Sequence, residues 1–199
     1  MSAQIVPIVE GQSEVESIPL LVRRVLQESE VPAIPVARPL RVKRTLVVRS
    51  GELERAVTQA IRARQNPGGV LVVLDADDDC PVKLSADLLH RCREATHLPV
   101  RVVIANRELE CWLLGAKESI RGCRGIRASA VSPPDPEAIR GAKERLSENM
   151  MDRRRYVEVD DQPAMIATFD IFRARAVCRS FNKFCKDVLW LADQIAAAS

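Results

Sequence analysis

The feature that most constrains this chain is a short apolar run followed directly by aspartates. Residues 70–74 read Val-Leu-Val-Val-Leu, and Asp75-Ala76-Asp77-Asp78-Asp79 comes next. Such a run is typical of a β-strand buried on both faces of a sheet, which needs helices on either side. The run therefore predicts an α/β protein whose sheet presents carboxylates at its carboxyl edge, where such folds bind ligands.

Strand-like and helix-like segments alternate through the first half of the chain, which predicts a mainly parallel sheet with helices on both faces. We predict strands at 4–9, around 33–37 and 45–48, at 70–74 and at 100–105, and helices at 14–27, 51–65 and 85–96. Pro7 indicates an edge strand or a strand start, because proline cannot donate to a neighbouring strand. Ser13 and Glu16 have the spacing of a capping box.

The second half is predicted to be helical. A short helix is favoured at 108–114, a surface loop at 122–136, and helices at 136–148, 170–180 and 181–198. We interpret residues 1–115 as an α/β core and residues 116–199 as a helical extension packed on it, the two together forming one structural unit.

Composition excludes several classes of protein. The 199 residues carry a net charge of +3, too little to predict nucleic-acid binding from total charge. No apolar stretch reaches the ~20 residues of a membrane span, and no signal peptide is recognisable, so we expect a cytoplasmic protein without membrane contact. The six cysteines show no CxxC spacing, so a zinc site is not supported. No Walker A, GxGxxG or GxSxG pattern occurs.

Glu10 and Glu14 flank the turn between the first strand and the first helix. Both are expected at the carboxyl edge of the sheet, and Gly11 is expected to let the backbone turn sharply. The alternative is that Glu14 only stabilises the positive end of a helix dipole.

Asp75 and Asp77 would lie on one side of an extended strand end. Two neighbouring carboxylates repel each other unless a cation lies between them, and Mg²⁺, with Mn²⁺ as a substitute, suits such oxygen ligands. We therefore expect Glu10, Asp75 and Asp77 to lie within about one coordination shell, with Asp79 as a further candidate. The alternative is a solvated acidic turn that caps a helix.

Glu108 and Glu110 follow the strand at 100–105. On a helix they point about 200° apart, so one of them faces the site. We favour Glu108, which is nearer the strand end, and keep Glu110 as a candidate.

Basic residues form three clusters that either contact phosphates or are solvated surface. They are Arg38, Arg41, Lys43, Arg44 and Arg49; Arg121, Arg124 and Arg127; and Arg153, Arg154 and Arg155. Few aromatic residues are interleaved with them, so stacking on bases has little support.

The segment Val9-Glu10-Gly11-Gln12-Ser13-Glu14, with Leu74-Asp75-Ala76-Asp77 some sixty residues later, resembles the Toprim domain of topoisomerases, bacterial primases and OLD-family nucleases. The second glutamate, four residues after the first, is most similar to the OLD type.

Three later segments are similar to the DUF4276 family of uncharacterised Toprim-like bacterial proteins. They are Glu108-Leu109-Glu110-Cys111-Trp112-Leu113-Leu114, Pro136-Glu137-Ala138-Ile139 with Ala142-Lys143-Glu144-Arg145-Leu146, and Ser180-Phe181-Asn182-Lys183-Phe184. The sequence departs from that pattern at Ser13, Val15 and Arg179-Ser180, and none of these is an expected metal ligand.

The resemblance implies that Glu10 is a general acid or base and that Asp75 and Asp77 hold Mg²⁺, with Glu14 as a further ligand. It implies phosphoryl transfer on nucleic acid, DNA or RNA, most simply by a nuclease that works with an ATPase partner in bacterial defence against phage. Two alternatives stay open: a Toprim-shaped binding or regulatory module that partners an ATPase with little turnover, and a structural subunit. Homo-oligomerisation also stays open.

Overall fold

A computed structural model describes residues 2–198 and shows the predicted α/β architecture. Four strands, β1 to β4, occupy Gln4–Val9, Leu40–Arg41, Pro67–Asp75 and Val100–Ala105. Helices α1 to α9 occupy Glu14–Glu28, Arg44–Val47, Glu52–Arg62, Pro81–Ala95, Glu110–Gly115, Ala142–Glu148, Glu158–Ile166, Ile171–Val177 and Arg179–Ala197. Short 3₁₀ turns lie at Lys117–Ile120, Cys123–Gly125 and Pro136–Ala138.

The sheet has the order β2-β1-β3-β4 with every pairing parallel, and helices cover both faces, as predicted. Alternation along β3 separates two cores. Leu71 and Val73 pack in a core with α1 and the C-terminal helices, whereas Val70, Val72 and Leu74 pack with α3 and α4 on the other face. A side chain at an odd-numbered position of β3 therefore faces α1.

Pro7 lies in an interior strand, so the expected edge position is wrong. Before β2, Ile5 donates its backbone N–H to Pro35 and accepts that of Ala37. After β2, the carbonyl oxygen of Val9 accepts the backbone N–H of Val42. Backbone polar groups alternate in direction along a strand, so the nitrogen of Pro7 points to the same side of β1 as that of Ile5. The chain on that side pairs with β1 at Val36 and again at Leu40, and it is not a strand between these two residues. The N–H group that Pro7 lacks would therefore lie where β1 has no neighbouring strand to bond to.

Several predicted boundaries are wrong. Residues 45–47 belong to a helical turn, Arg44–Val47, that buries Val47 in the second core, and Val48 follows this turn. The predicted helix over 136–148 is split, because Gly141 has a φ of +65° before α6 begins. The fourth helix starts at Pro81, earlier than expected, since proline suits a first helical turn. Helix α7 was not predicted.

The C-terminal helices share a core with the sheet. Trp112 of α5 packs against Phe181 and Phe184 of α9, with ring centroids 5.1 and 5.4 Å apart. The same core contains residues of α1, β3 and β4, so residues 116–198 pack directly on the face of the sheet that carries α1. Within residues 2–198, no helix has the length and apolar character needed to cross a membrane.

Candidate functional site

Glu14 lies against the loop that precedes its own helix. It is the first residue of α1 and only 4% exposed, and its Oε2 accepts the backbone N–H groups of Glu10 at 3.0 Å and Gly11 at 2.9 Å. These bonds fix the turn after β1. The expected capping box is wrong, because Ser13 has helical backbone angles and donates its hydroxyl to Glu158 at 2.8 Å.

Gly11 lies where a side chain would have little space. A Cβ atom there would lie 3.1 Å from Oε1 of Glu14 and 3.3 Å from Oε1 of Glu158. Its φ is not positive, so the expected role in a sharp backbone turn is replaced by a steric one. The absence of a side chain at this position lets two carboxylates approach the loop.

Asp75 is the last residue of β3 and continues the alternation of Leu71 and Val73. Its carboxylate therefore points to the face that carries α1 and α5. Oδ1 accepts the backbone N–H of Leu109 at 2.9 Å, which links the end of β3 to the start of α5.

Glu110, not Glu108, lies with the acids described above. We call Glu10, Glu14, Asp75 and Glu110 the acidic group. It lies in the first turn of α5 and is 1% exposed, and its Oε1 accepts from the hydroxyl of Tyr156 and from Nε2 of Gln162, each at 3.0 Å. Glu108 precedes the helix, and its Oε2 is buried without a hydrogen-bond partner. The structure places Glu110 rather than Glu108 in this group, because α5 begins at Glu110 and the predicted helix begins at residue 108.

One lysine reaches the acidic group from α6. Nζ of Lys143 lies 2.8 Å from Oε2 of Glu158, the first residue of α7. Although burial lowers the pKa of Lys143, the carboxylates of Glu110 and Glu158 raise it overall. The ammonium therefore offsets part of the acidic charge.

Burial raises the pKa values of the acids, and their mutual repulsion adds to it. Burial raises the pKa of Glu14 to about 7, with Glu110 and Glu10 contributing. The pKa of Asp75 is raised well above its usual value by burial and then by Glu14, Glu110 and Glu10. Burial likewise raises the pKa values of Glu110 and Glu10. Acids in this state favour a proton or a cation.

Asp77 and Asp79 lie outside β3, in the exposed loop that follows it. The strand ends at Asp75, and Asp77 is an exposed residue with a φ of +51° whose charge acts on Glu10. The expected alternation therefore stops before it reaches Asp77. Asp79 points to an ion pair with Arg44 at the surface.

The chemistry of the donors suits Mg²⁺, because all are carboxylate oxygens. Oε2 of Glu10 is buried without a hydrogen-bond donor, as expected of an oxygen that takes up a cation or a proton. Within residues 2–198, no three His, Cys, Asp or Glu side chains are arranged to hold a metal ion. Closing a coordination shell around Glu10, Glu14 and Asp75 therefore requires their side chains to reorient.

Four residues near these acids were missed as site residues: Lys143, Tyr156, Glu158 and Gln162. They follow no strand, so the argument from strand ends does not find them. The similarity of the segment around Lys143 to a family pattern was the one signal available, and it assigned no role to the lysine.

No curated protein and no solved structure matches the chain. One family model matches residues 9–189, from the end of β1 into α9, and so covers the strand ends and helices that carry the acidic group. The family carries the description "domain of unknown function". The chain belongs to the DUF4276 family.

Proposed function

We propose that this protein is a Mg²⁺-dependent phosphoryl-transfer enzyme that hydrolyses phosphodiester bonds in nucleic acid. The observation that carries the proposal is the convergence of Glu10, Glu14, Asp75 and Glu110 from three separate segments of the chain at the carboxyl edge of a parallel sheet. Burying like charges together is costly unless a cation compensates them.

Glu10, Glu14 and Asp75 are the residues that would hold Mg²⁺, which when bound neutralises charge on a phosphate and favours ionisation of water. Glu10 has a raised pKa and a free buried oxygen, which suit it to accept a proton from an attacking water. Glu110 is held by Tyr156 and Gln162, so its role is to position the group and to add negative charge.

Resemblance to Toprim nucleases supports the same reaction. The Val9–Glu14 segment and the Leu74–Asp77 segment lie at neighbouring strand ends, because β1 and β3 are adjacent in the sheet. This adjacency supports Glu10 and Asp75 acting on one substrate.

The test is cleavage of supercoiled, linear duplex and single-stranded DNA, and of RNA, with Mg²⁺ or Mn²⁺. We expect a metal-dependent product from at least one substrate, and loss of that product in Glu10→Gln and Asp75→Asn. Asp152→Asn is the matched control, because Asp152 is 94% exposed and pairs with Arg127 at the surface. No metal-dependent product from any of the four substrates would overturn the proposal.

A second candidate is a weakly catalytic module that binds and regulates an ATPase. The position of Lys143 favours it, because an ammonium already offsets part of the acidic charge where a metal would bind. In that case an ATPase encoded beside this gene changes its rate of ATP hydrolysis equally with the wild type and with Glu10→Gln. A change that requires intact Glu10 would contradict it.

A further inference from the structure

The loop after β3 is held by arginines from three other segments. Nη1 of Arg107, which follows β4, lies 3.3 Å from Oδ1 of Asp78, and Arg140, which precedes α6, pairs with the same oxygen. Arg44, at the start of α2, pairs with Asp79. Arg44 and Arg107 follow β2 and β4, so these cations meet at the same edge of the sheet as the acidic group.

The ion pair between Asp78 and Arg140 lies at the surface. The side chain of Asp78 is 73% exposed and that of Arg140 is 69% exposed. Exposed pairs of this kind add little to stability because water screens both charges. A phosphate that offers two oxygens to a guanidinium competes well with such a carboxylate.

Arg44 is the most buried of the three arginines. Its side chain is 14% exposed, and Nη1 is buried without a hydrogen-bond acceptor. A buried guanidinium N–H that lacks an acceptor is costly unless a ligand supplies one. The charge of Arg44 acts on Glu10, so the guanidinium lies within electrostatic range of the proposed reaction centre.

We propose that Arg44, Arg107 and Arg140 form a binding site for the backbone phosphates of nucleic acid, and that Asp78 and Asp79 occupy this site in the free protein. The proposal rests on the proposed function for the nature of the substrate. It adds the residues that bind the phosphates and an internal competitor that the substrate must displace.

The site is tested by fluorescence anisotropy with labelled single-stranded DNA, duplex DNA and single-stranded RNA of equal length. Binding is measured with Ca²⁺ in place of Mg²⁺, and again with EDTA. We expect Arg44→Gln, Arg107→Gln and Arg140→Gln each to weaken binding about fivefold or more. Each is also expected to reduce the slope of log affinity against log salt by about 0.7–0.9.

Arg62→Gln is the matched control. Arg62 is exposed in the last turn of α3, five residues before β3 begins, and so lies at the opposite edge of the sheet. We expect its affinity and salt slope to equal those of the wild type.

Asp78→Asn should change the affinity for nucleic acid in the opposite direction. Removing the competing charge is expected to tighten binding by up to about fivefold, a result that a damaged fold does not produce. The proposal is overturned if Arg107→Gln and Arg140→Gln bind like Arg62→Gln, if Asp78→Asn binds more weakly, or if no probe binds in either buffer.

Binding and cleavage separate the two proposals. If binding follows the expected pattern and no substrate is cleaved, the enzymatic proposal fails alone. If substrate is cleaved and the arginine variants bind normally, the phosphate site fails alone.

Discussion

Asp77 donates its backbone N–H to the carbonyl oxygen of Arg107 over 3.0 Å, and both residues have left-handed backbone angles, with φ of +51° and +64°. This bond joins the loops that follow β3 and β4. Non-glycine residues rarely adopt such angles, and where they do so the surrounding structure holds them there.

The left-handed φ of Arg107 predicts that replacing this residue by glycine raises stability and weakens binding. Arg107→Gly relieves the steric cost of a left-handed φ, so we expect the free energy of unfolding to rise by up to about 1 kcal/mol in urea titrations. Binding to labelled nucleic acid should weaken about fivefold in the same variant. Arg153→Gly, at a φ of +65°, should gain similar stability with unchanged binding. A less stable Arg107→Gly with wild-type affinity contradicts the argument.

Metal ions should stabilise the folded protein. A ligand that binds the native state alone raises the melting temperature as its concentration exceeds its dissociation constant. We expect Mg²⁺ or Mn²⁺ to raise the melting temperature of the wild type and of Asp152→Asn. Asp75→Asn keeps an acceptor for Leu109 but loses a charged ligand, so its melting temperature should not respond. An equal response in Asp75→Asn would remove Asp75 from the site.

Without metal, stability should fall as the pH rises from about 5 to 7. Burial raises the pKa of Glu14 to about 7 in the folded protein, so the folded state holds a proton that the unfolded state has already lost. The favourable contribution is complete below the unfolded pKa and is lost as the pH rises through the folded one, with a slope of up to about 1.4 kcal/mol per pH unit. Urea titrations in EDTA at several pH values measure how the free energy of unfolding changes with pH.

Glu14→Gln is the control for this pH dependence. Its amide oxygen can still accept the N–H groups of Glu10 and Gly11, but the group no longer titrates. The slope should therefore become shallower in Glu14→Gln. A wild type whose stability rises over the same interval would contradict the raised pKa.

We expect Lys143→Gln to be less stable than the wild type without metal and to regain stability when Mg²⁺ is added. Removing the ammonium leaves Glu110 and Glu158 less compensated, which we expect to cost about 1–2 kcal/mol after allowance for solvent at this partly exposed pair. Mg²⁺ should then raise the melting temperature more than it does in the wild type. Lys186→Gln, at an exposed position of α9, should match the wild type in both buffers. A metal response no larger than that of the wild type contradicts this role.

Ser180→Ala should destabilise the fold by about 1–3 kcal/mol in urea titrations. Its hydroxyl accepts Nε1–H of Trp112 at 2.8 Å and the backbone N–H of Asn106 at 3.1 Å, and donates to Glu137. The substitution leaves these groups without their partner in a buried region. Ser2→Ala, at the exposed start of the described chain, should have no effect. A loss below about 0.5 kcal/mol would show that water replaces the hydroxyl.

β1, β3 and β4 could be predicted because buried parallel strands have a continuous apolar pattern. The strand predicted around 33–37 is wrong, because β2 lies at Leu40–Arg41 and Val36 forms only an isolated bridge. Alternation then places Asp75 correctly, since it is still part of β3. The same rule misplaces Asp77, because a strand ends where its hydrogen bonds end, and these depend on the neighbouring chain. Glu158 could not be found by local reasoning, since it bonds to Ser13 across 145 residues of sequence.

Helix boundaries failed for similar reasons. Thr45, Val47 and Val48 have β-branched side chains, yet Arg44–Val47 forms a helical turn that buries Val47 against the second core. Tertiary packing overrode local preference there. The choice between Glu108 and Glu110 depended on the residue at which α5 begins, and sequence patterns define such boundaries only to within a few residues.

Four residues around the buried acids come from late in the chain: Lys143, Tyr156, Glu158 and Gln162. During synthesis on a ribosome, the sheet can pair once residue 105 has emerged, but the ammonium that offsets the charges around Asp75 arrives only with Lys143 of α6. A nascent chain would therefore possess its sheet well before the acidic side chains are enclosed by their later contacts.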